Sequence, residues 1–276
     1  MNGTSQPTYL PKHQQLKELL AGTAPLAVAF SGGVDSTLLL KVAAEVLPES
    51  CCAVTVDAPY LFRQELAAAT RLTCHLNVRH LMVPLTPELL PGLYRNPADR
   101  CYWCKNAMLT CCLAAVTERL RHEGNWTLVD GSIADDQYSH RPGRQALAER
   151  QIRSPLAEVG FDKAEVRALS NELGLPNWDK PAQTCLLTRF PHNLNITAAD
   201  LKRVEQAEEG LLALGFSVVR VRSIGTLARV ECAPGVLATA CFPGMAEKIK
   251  VVCQTAGFSD VLIDPTGYRS GSMDQN

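Results

Sequence analysis

The sequence predicts an α/β protein: a doubly wound parallel sheet with a second, smaller α+β domain. Three observations carry this. Short apolar runs alternate with stretches of helical periodicity, a glycine-rich turn joins the first run to the first long helix, and the pattern changes beyond Pro191. At 276 residues, 46% of them apolar and 20% charged, the chain can bury a sizeable core and has the composition of an ordinary globular protein.

A helix is expected over His13–Leu20. Pro25–Phe30 (PLAVAF) is an apolar run of the kind a strand buried on both faces shows, and it ends in Ser31-Gly32-Gly33-Val34-Asp35-Ser36. From Thr37 to Leu47 the apolar residues recur at helical spacing, and Pro48 stops them. A strand at Cys52–Asp57, a helix over Arg63–Leu76 and a strand at Arg79–Val83 complete a βαβαβ rhythm, which puts the ligand at the carboxyl ends of the strands. Pro84, Pro87, Pro91 and Pro97 mark a long ordered loop or a flap. Cys101-Tyr102-Trp103-Cys104 leads into a helix reaching about Arg121, and Trp126–Asp130 reads as a fourth strand ending at Gly131. Ser132–Arg150 is polar and loop-rich, Asp162–Leu173 is a helix closed by Gly174, and Asn177–Phe190 shows little periodicity. The boundary near Pro191 gives a first domain over 1–190 and a second over 191–276. In the second, Asp200–Leu214 and Ala246–Thr255 read as helices and Ser217–Arg222, Leu227–Cys232 and Val261–Asp264 as strands.

Charge and composition exclude several classes. Lys+Arg 27 against Asp+Glu 28 gives a net charge of -1, which disfavours an extended nucleic-acid surface. Lys41, Glu45, Arg63 and Arg71 interrupt the apolar stretches before any reaches the length of a membrane span, and Met1–Gln15 lacks the apolar segment of a secretion signal. A cytoplasmic protein is expected, with its eleven cysteines as reduced thiols and some of them serving a metal or redox centre.

The turn Ser31–Ser36 lies between a strand and a helix. Two glycines let the backbone approach a ligand, and free N–H groups at the helix N-terminus face it, so the turn is an anion cradle. Neither G-x-x-x-x-G-K-[ST] nor G-x-G-x-x-G occurs in the chain. After the fourth strand, Asp130-Gly131-Ser132-Ile133-Ala134-Asp135-Asp136 offers Asp136, with Asp135 as second choice, to a magnesium ion. Cys101 and Cys104, with two residues between them, stand on one turn, and Cys185 follows in Pro181-Ala182-Gln183-Thr184-Cys185. A zinc site wants four ligands, whereas three thiolates suit an iron–sulfur cubane with one iron open; C-x-x-C alone also fits a redox pair or a structural turn. The other eight cysteines read as small core hydrophobes.

The S-G-G-x-D-S turn and the Asp130–Gly131 signature resemble those of the PP-loop ATP pyrophosphatases, and the fold implied is that of the PP-loop (adenine nucleotide alpha hydrolase-like) type. Val28–Thr37, Asp130–Gly131, His140–Gly143, Val166–Cys185, Arg189–Pro191, Gly215–Arg222 and Gly267–Met273 extend the resemblance to the LarE family of ATP-dependent sulfur transferases in nickel-pincer nucleotide biosynthesis, which serves lactate racemase. That resemblance implies adenylation of a carboxylate of pyridinium-3,5-biscarboxylate mononucleotide, followed by displacement of AMP by sulfur to give a thiocarboxylate. It implies ATP and Mg2+ as cofactors, ATP held by Ser31, Gly32, Gly33, Asp35, Ser36 and Gly131, and Arg144 and Lys180 near the adenylate. It also implies Arg220, Arg222 and Arg269 on the substrate phosphate, and Glu208 as an active-site acid. Cys101, Cys104 and Cys185 match the branch with a [4Fe-4S] cluster on three cysteines, whose open iron holds a sulfide; the other branch spends the sulfur of a single cysteine at the Cys185 position. A small-molecule nucleotide substrate, a sulfide or sulfur-delivery system, no membrane partner and a homo-oligomer are expected. The chain departs from the family pattern at Ser223-Ile224-Gly225 and at Thr239, where the family carries an acidic residue. A cluster-dependent tRNA thiolase is the rival enzyme, disfavoured by the near-neutral charge and the lack of flanking zinc ribbons. A nucleotide- or cluster-sensing protein, binding ATP without releasing pyrophosphate, is the rival outside enzymes.

Overall fold

The computed structural model describes residues 7–86, 90, 92–137 and 143–269. Pro87, Pro91, His140–Pro142 and 270–273 of the sequence stretches above lie outside the described residues. The chain forms two compact units. The first comprises residues 1–89 and 101–183, the second Leu90–Arg100 and Thr184 onward.

In the first unit, β1 (Leu26–Ala29), β2 (Cys51–Asp57), β3 (Arg79–Pro84) and β4 (Thr127–Asp130) form one parallel sheet in the order β3-β2-β1-β4. Ala29 sits beside Val54 on one side and Asp130 on the other, so the strand order reverses at β1. In such sheets the crevice at the carboxyl ends of the two strands flanking the reversal binds ligand. α1 (Tyr9–Ala21), α2 (Val34–Val46), α3 (Arg63–His75) and α4 (Arg100–Leu120) accompany the sheet. Leu26, Val28, Leu38, Leu39, Val42, Val129, Val166 and Leu169 are buried in one core cluster, which is why β1 reads as continuously apolar.

The polar stretch after β4 is more regular than its sequence suggests. It holds a 3-10 turn at Ala134–Gln137 and α5 (Gly143–Glu149), and α6 (Pro155–Val159) follows it, elements too short to complete two helical turns. α7 (Lys163–Glu172) opens with a capping box, Asp162 accepting from the Glu165 N–H and the Glu165 carboxylate accepting from the Asp162 N–H. Lys12 of α1 pairs with Glu165 at 2.6 Å and ties the two helices.

The second unit contains β5 (Val219–Ile224), β6 (Leu227–Cys232) and β7 (Asp260–Ile263), with β5 antiparallel and β7 parallel to β6. α8 (Ala198–Ala213), capped by Thr197 and Asp200, packs on β5 and on α10 (Pro243–Thr255). The brief α9 (Leu237–Cys241) precedes α10. The proline-marked stretch contributes a 3-10 turn at Leu93–Arg95 and strap-like pairing to this unit, with Ile196 N–H donating to Tyr94 O at 2.8 Å and Asn193 N–H to Asn96 O at 3.1 Å.

Candidate active site

The turn after β1 is built by its own polar side chains. Gly33 N–H donates to Ser31 Oγ at 3.3 Å, Ser36 Oγ donates to Gly33 O at 3.2 Å, and the two serine hydroxyls stand 3.2 Å apart. Thr37 Oγ1 donates to Gly33 O at 2.8 Å while Asn177 Nδ2 reaches both Gly32 O (3.1 Å) and Thr37 Oγ1 (3.0 Å). Gly32 has φ +73, and a Cβ there would stand 3.1 Å from Ala69 Cβ of α3, so glycine is required for both the left-handed backbone and the close approach. A Cβ on Gly131 would stand 2.9 Å from Ser36 Cα and N. The loop after β4 therefore rests directly on the first turn of α2, and the expected partners Ser36 and Gly131 are brought together.

Charge is concentrated around this junction. Asp35 receives Lys163 Nζ at 2.7 and 2.9 Å, and Asp135 accepts from the Lys163 main-chain N–H at 3.0 Å. One residue at the start of α7 thus holds both the turn and the acidic loop. Asp136 Oδ2 accepts from Ile133 N–H at 3.2 Å. Asp130 is buried beneath them, receiving Ser154 Oγ at 2.6 Å, Ser132 Oγ at 2.9 Å and Lys105 Nζ at 3.1 Å. Burial alone would raise its pKa, but the Lys105 charge and the hydrogen bonds outweigh that and hold it below the usual aspartate value. Lys180 pairs with Glu65 of α3 at 2.7 Å, and Arg144 is exposed in the first turn of α5.

The cysteines divide sharply. Cys51, Cys52, Cys112 and Cys253 are buried, and burial pushes each thiol up to about 12, with Cys232 at about 11. Cys74 and Cys241 are exposed, unlike the core packing their apolar neighbours in sequence suggested. Cys101 is exposed and Cys104 half-buried on the first turn of α4, three residues apart and so on one helix face. Cys104 Sγ lies 3.2 Å from Tyr60 Oη and 3.6 Å from Met108 Sδ. Two accessible soft donors on one turn fit two corners of an iron–sulfur cluster. Within neither unit do three or more His, Cys, Asp or Glu gather as a metal site among the described residues. Cys185 belongs to the second unit, where it is half-buried at the start of a 3-10 turn, Leu186–Arg189.

Around Cys185 the second unit buries charge. Arg189 is 0% exposed and Glu208 1%, joined by two parallel bonds of 2.8 and 2.9 Å. Glu208 Oε1 also accepts from the Val221 N–H at 2.8 Å. Arg220 and Arg222 are both buried on β5, as alternate residues on one face. Arg222 bonds Glu231 through Nε (2.9 Å) and Nη2 (2.8 Å) and Thr188 O through Nη1 (2.9 Å). Arg220 lies 5.2 Å from the Tyr268 ring centre, and burial, then the like charge of Arg189, lowers its pKa. Arg269 is exposed; the nearby Asp264 carboxyl, raised by burial, is lowered on balance by hydrogen bonds from Thr266 and then by the charges of Arg229 and Arg269. Lys163, Lys105, Asn177, Asn96 and Glu231 went unnoticed in the sequence. The capping box before α7 was the one signal that would have drawn attention to Lys163.

The comparisons with known proteins decide the family. The asparagine synthase family model matches residues 13–104, which span the Ser31–Ser36 turn and end at Cys104. The chain is 33% identical to the pyridinium-3,5-bisthiocarboxylic acid mononucleotide synthase of Lactiplantibacillus plantarum over 267 residues, 96% of this chain and 95% of the relative. The chain belongs to that synthase family, the LarE family. It is an ATP-dependent sulfur transferase built on a PP-loop domain. An uncharacterized protein of Synechocystis sp. is 39% identical over 264 residues, 96% of this chain and 97% of its own length. The glutamine-hydrolyzing GMP synthase of Aeropyrum pernix shares 28% identity over 178 residues, 58% of this chain and 34% of that protein. No helix among the described residues is long and apolar enough to cross a membrane.

Proposed function

We propose that the chain makes a thiocarboxylate from pyridinium-3,5-biscarboxylate mononucleotide, with the first unit handling ATP and the second the nucleotide substrate and self-association. The observation that carries this reading is the match to a bisthiocarboxylate synthase over nearly the full length of both chains, through the phosphate turn and the Cys185 segment alike. The backbone N–H groups of Ser31–Ser36 hold ATP phosphates at the start of α2, with Asp35 in the same turn, and Asp136, with Asp135 as second choice, would supply oxygen to Mg2+. A substrate carboxylate oxygen attacks the α-phosphorus of ATP, the new O–P bond forming as the bond to pyrophosphate breaks. Arg144 and Lys180 offset charge on the adenylate. Sulfur then attacks the acyl carbon, a C–S bond forms, and AMP departs with the C–O electron pair. Arg220 and Arg269 meet the substrate phosphate, while Arg222 adds to the positive field.

For the sulfur, Cys101, Cys104 and Cys185 would hold a [4Fe-4S] cluster, which when bound would supply an anionic sulfide at neutral pH. Iron and labile sulfide analysis after anaerobic purification tests this, on wild type and on Cys101→Ala. Four iron atoms per chain, lost in the variant, are expected. Absence of iron after anaerobic reconstitution would reject the cluster and make Cys185 a sacrificial donor. Thiocarboxylate formation by Cys185→Ala at the wild-type rate would reject both.

A further inference from the structure

We infer that Asn96, the Arg189–Glu208 pair and the Arg222–Glu231 pair are positioning residues that fix the main chain of the Cys185 turn and serve sulfur transfer without touching substrate. This rests on the reading of Cys185 as a residue of the sulfur chemistry. Every residue involved lies in the second unit.

The inference follows from the carbonyls of the turn. Backbone carbonyls withdrawn from water need donors, and in a short irregular turn most cannot find them in their own backbone. Here the turn's own N–H groups reach only Cys185 O (from Thr188, 3.2 Å) and Leu187 O (from Phe190, 3.3 Å) among the carbonyls concerned, and buried side chains add donors to these and to the others. Arg189 Nη1 donates to Thr184 O (3.2 Å) and Cys185 O (3.3 Å). Arg222 Nη1 donates to Thr188 O at 2.9 Å. Asn96 Nδ2 donates to Leu187 O (3.3 Å), Phe190 O (3.0 Å) and Pro191 O (2.9 Å). The carbonyls on either side of Cys185's 3-10 turn are thus gripped at both ends and in the middle.

The donors are themselves fixed. Arg189 Nη1 also donates to the hydroxyl oxygens of Thr184 and Thr188 at 2.5 and 2.7 Å, and Glu208 locks its guanidinium while accepting from β5. Glu231 locks Arg222 in turn. Asn96 is fully buried with φ +50, a left-handed conformation that asparagine tolerates and most side chains do not. Buried ion pairs are weak stabilisers compared with well-packed apolar side chains of the same volume. Two of them beside one turn are therefore accounted for by the geometry they impose. With both oxygens bonded to Arg189, Glu208 acts through that guanidinium.

Asn96→Gly tests this, because glycine keeps the left-handed backbone and removes only the amide. In the full chain purified in air, iodoacetamide labelling is read peptide by peptide by mass spectrometry. Cys185 is expected to label several-fold faster, while the buried Cys232 and Cys253 of the same unit stay protected. Pyrophosphate release in a single turnover should persist while thiocarboxylate formation falls on the order of 10–100-fold. Unchanged Cys185 labelling with unchanged thiocarboxylate formation would overturn the inference. So would equal exposure of Cys232 and Cys253, which marks a general loss of packing. Glu208→Gln adds a second readout: residual activity with the wild-type pH profile is expected, and a shifted profile would make Glu208 a proton-transfer group. Full sulfur transfer by Cys185→Ala would instead defeat the underlying functional reading, leaving the labelling result intact.

Discussion

Gly131→Ala places a methyl group between two backbones. The added Cβ would stand 2.9 Å from Ser36 Cα and N and 3.3 Å from the Asp35 carbonyl carbon. Carbon contacts are comfortable at roughly 3.5–4.0 Å, so the loops after β1 and β4 must part by about 0.6–1 Å. Neither neighbour is the end of a flexible side chain, and the register of Ala29 beside Asp130 holds both loops at their roots. A misplacement near 1 Å in a phosphate-positioning element costs on the order of 100-fold, and overpacking of this kind costs about 1–3 kcal/mol of stability. A domain with ordinary stability survives that cost. Pyrophosphate release at saturating ATP, coupled to pyrophosphatase and phosphate detection, should therefore fall about 10–100-fold in a folded protein, with the urea midpoint lowered slightly. A wild-type rate of pyrophosphate release would refute the assignment of this junction to ATP chemistry.

Three further outcomes are expected. Glu208→Ala leaves Arg189 buried without its carboxylate and should cost about 3–5 kcal/mol in urea denaturation; a loss below about 1 kcal/mol would show that the pair is not held out of water. Alkylation of the cluster-free protein at pH 8 should modify Cys101, Cys104 and Cys185 well before Cys51, Cys52, Cys112 and Cys253, whose thiols at about 12 carry almost no thiolate; early labelling of Cys52 would contradict its burial in β2. His80, with one ring nitrogen 2.8 Å from Thr55 Oγ1 and the other 3.1 Å from Thr73 Oγ1, has its pKa lowered by burial. The unfolded chain takes up that proton first, so the contribution of His80 is intact above the ordinary histidine pKa of about 6.5 and is lost as pH falls below it. Urea curves at pH 7 and pH 5 should show a drop that shrinks in His80→Asn, and an equal drop in both proteins would exclude His80 as its source.

Much of the first unit was legible because its signals are local. PLAVAF is apolar throughout since β1 lies between β2 and β4 with helices over it, and the Ser31–Ser36 turn follows within the same few residues. The arrangement of Gly131 against Ser36 could be suspected only as a motif, because the steric reason for it appears when β4 is placed beside β1. α6 and α9 escaped notice since five residues do not complete two helical turns. The support of Cys185 was hidden for another reason. Arg189 finds Glu208 nineteen residues away and Asn96 finds Leu187 ninety-one residues away, and no periodicity records a partner at such distances. Glu208, expected from resemblance as an active-site acid, is buried with Arg189 across its carboxylate, a pairing the resemblance did not disclose.

The second unit is assembled from two pieces of chain, and this bears on how the protein is made. Leu90–Arg100 leaves the ribosome long before Leu187, Phe190 and Pro191, the residues whose carbonyls Asn96 satisfies. At about 5–20 residues per second the strap waits on the order of 5–20 seconds for its partners. During that interval the sheet of the first unit can form, but the second unit cannot close. A fragment starting at Thr184 would lack the strap at any time, and its Cys185 turn would be born without the amide that ends it.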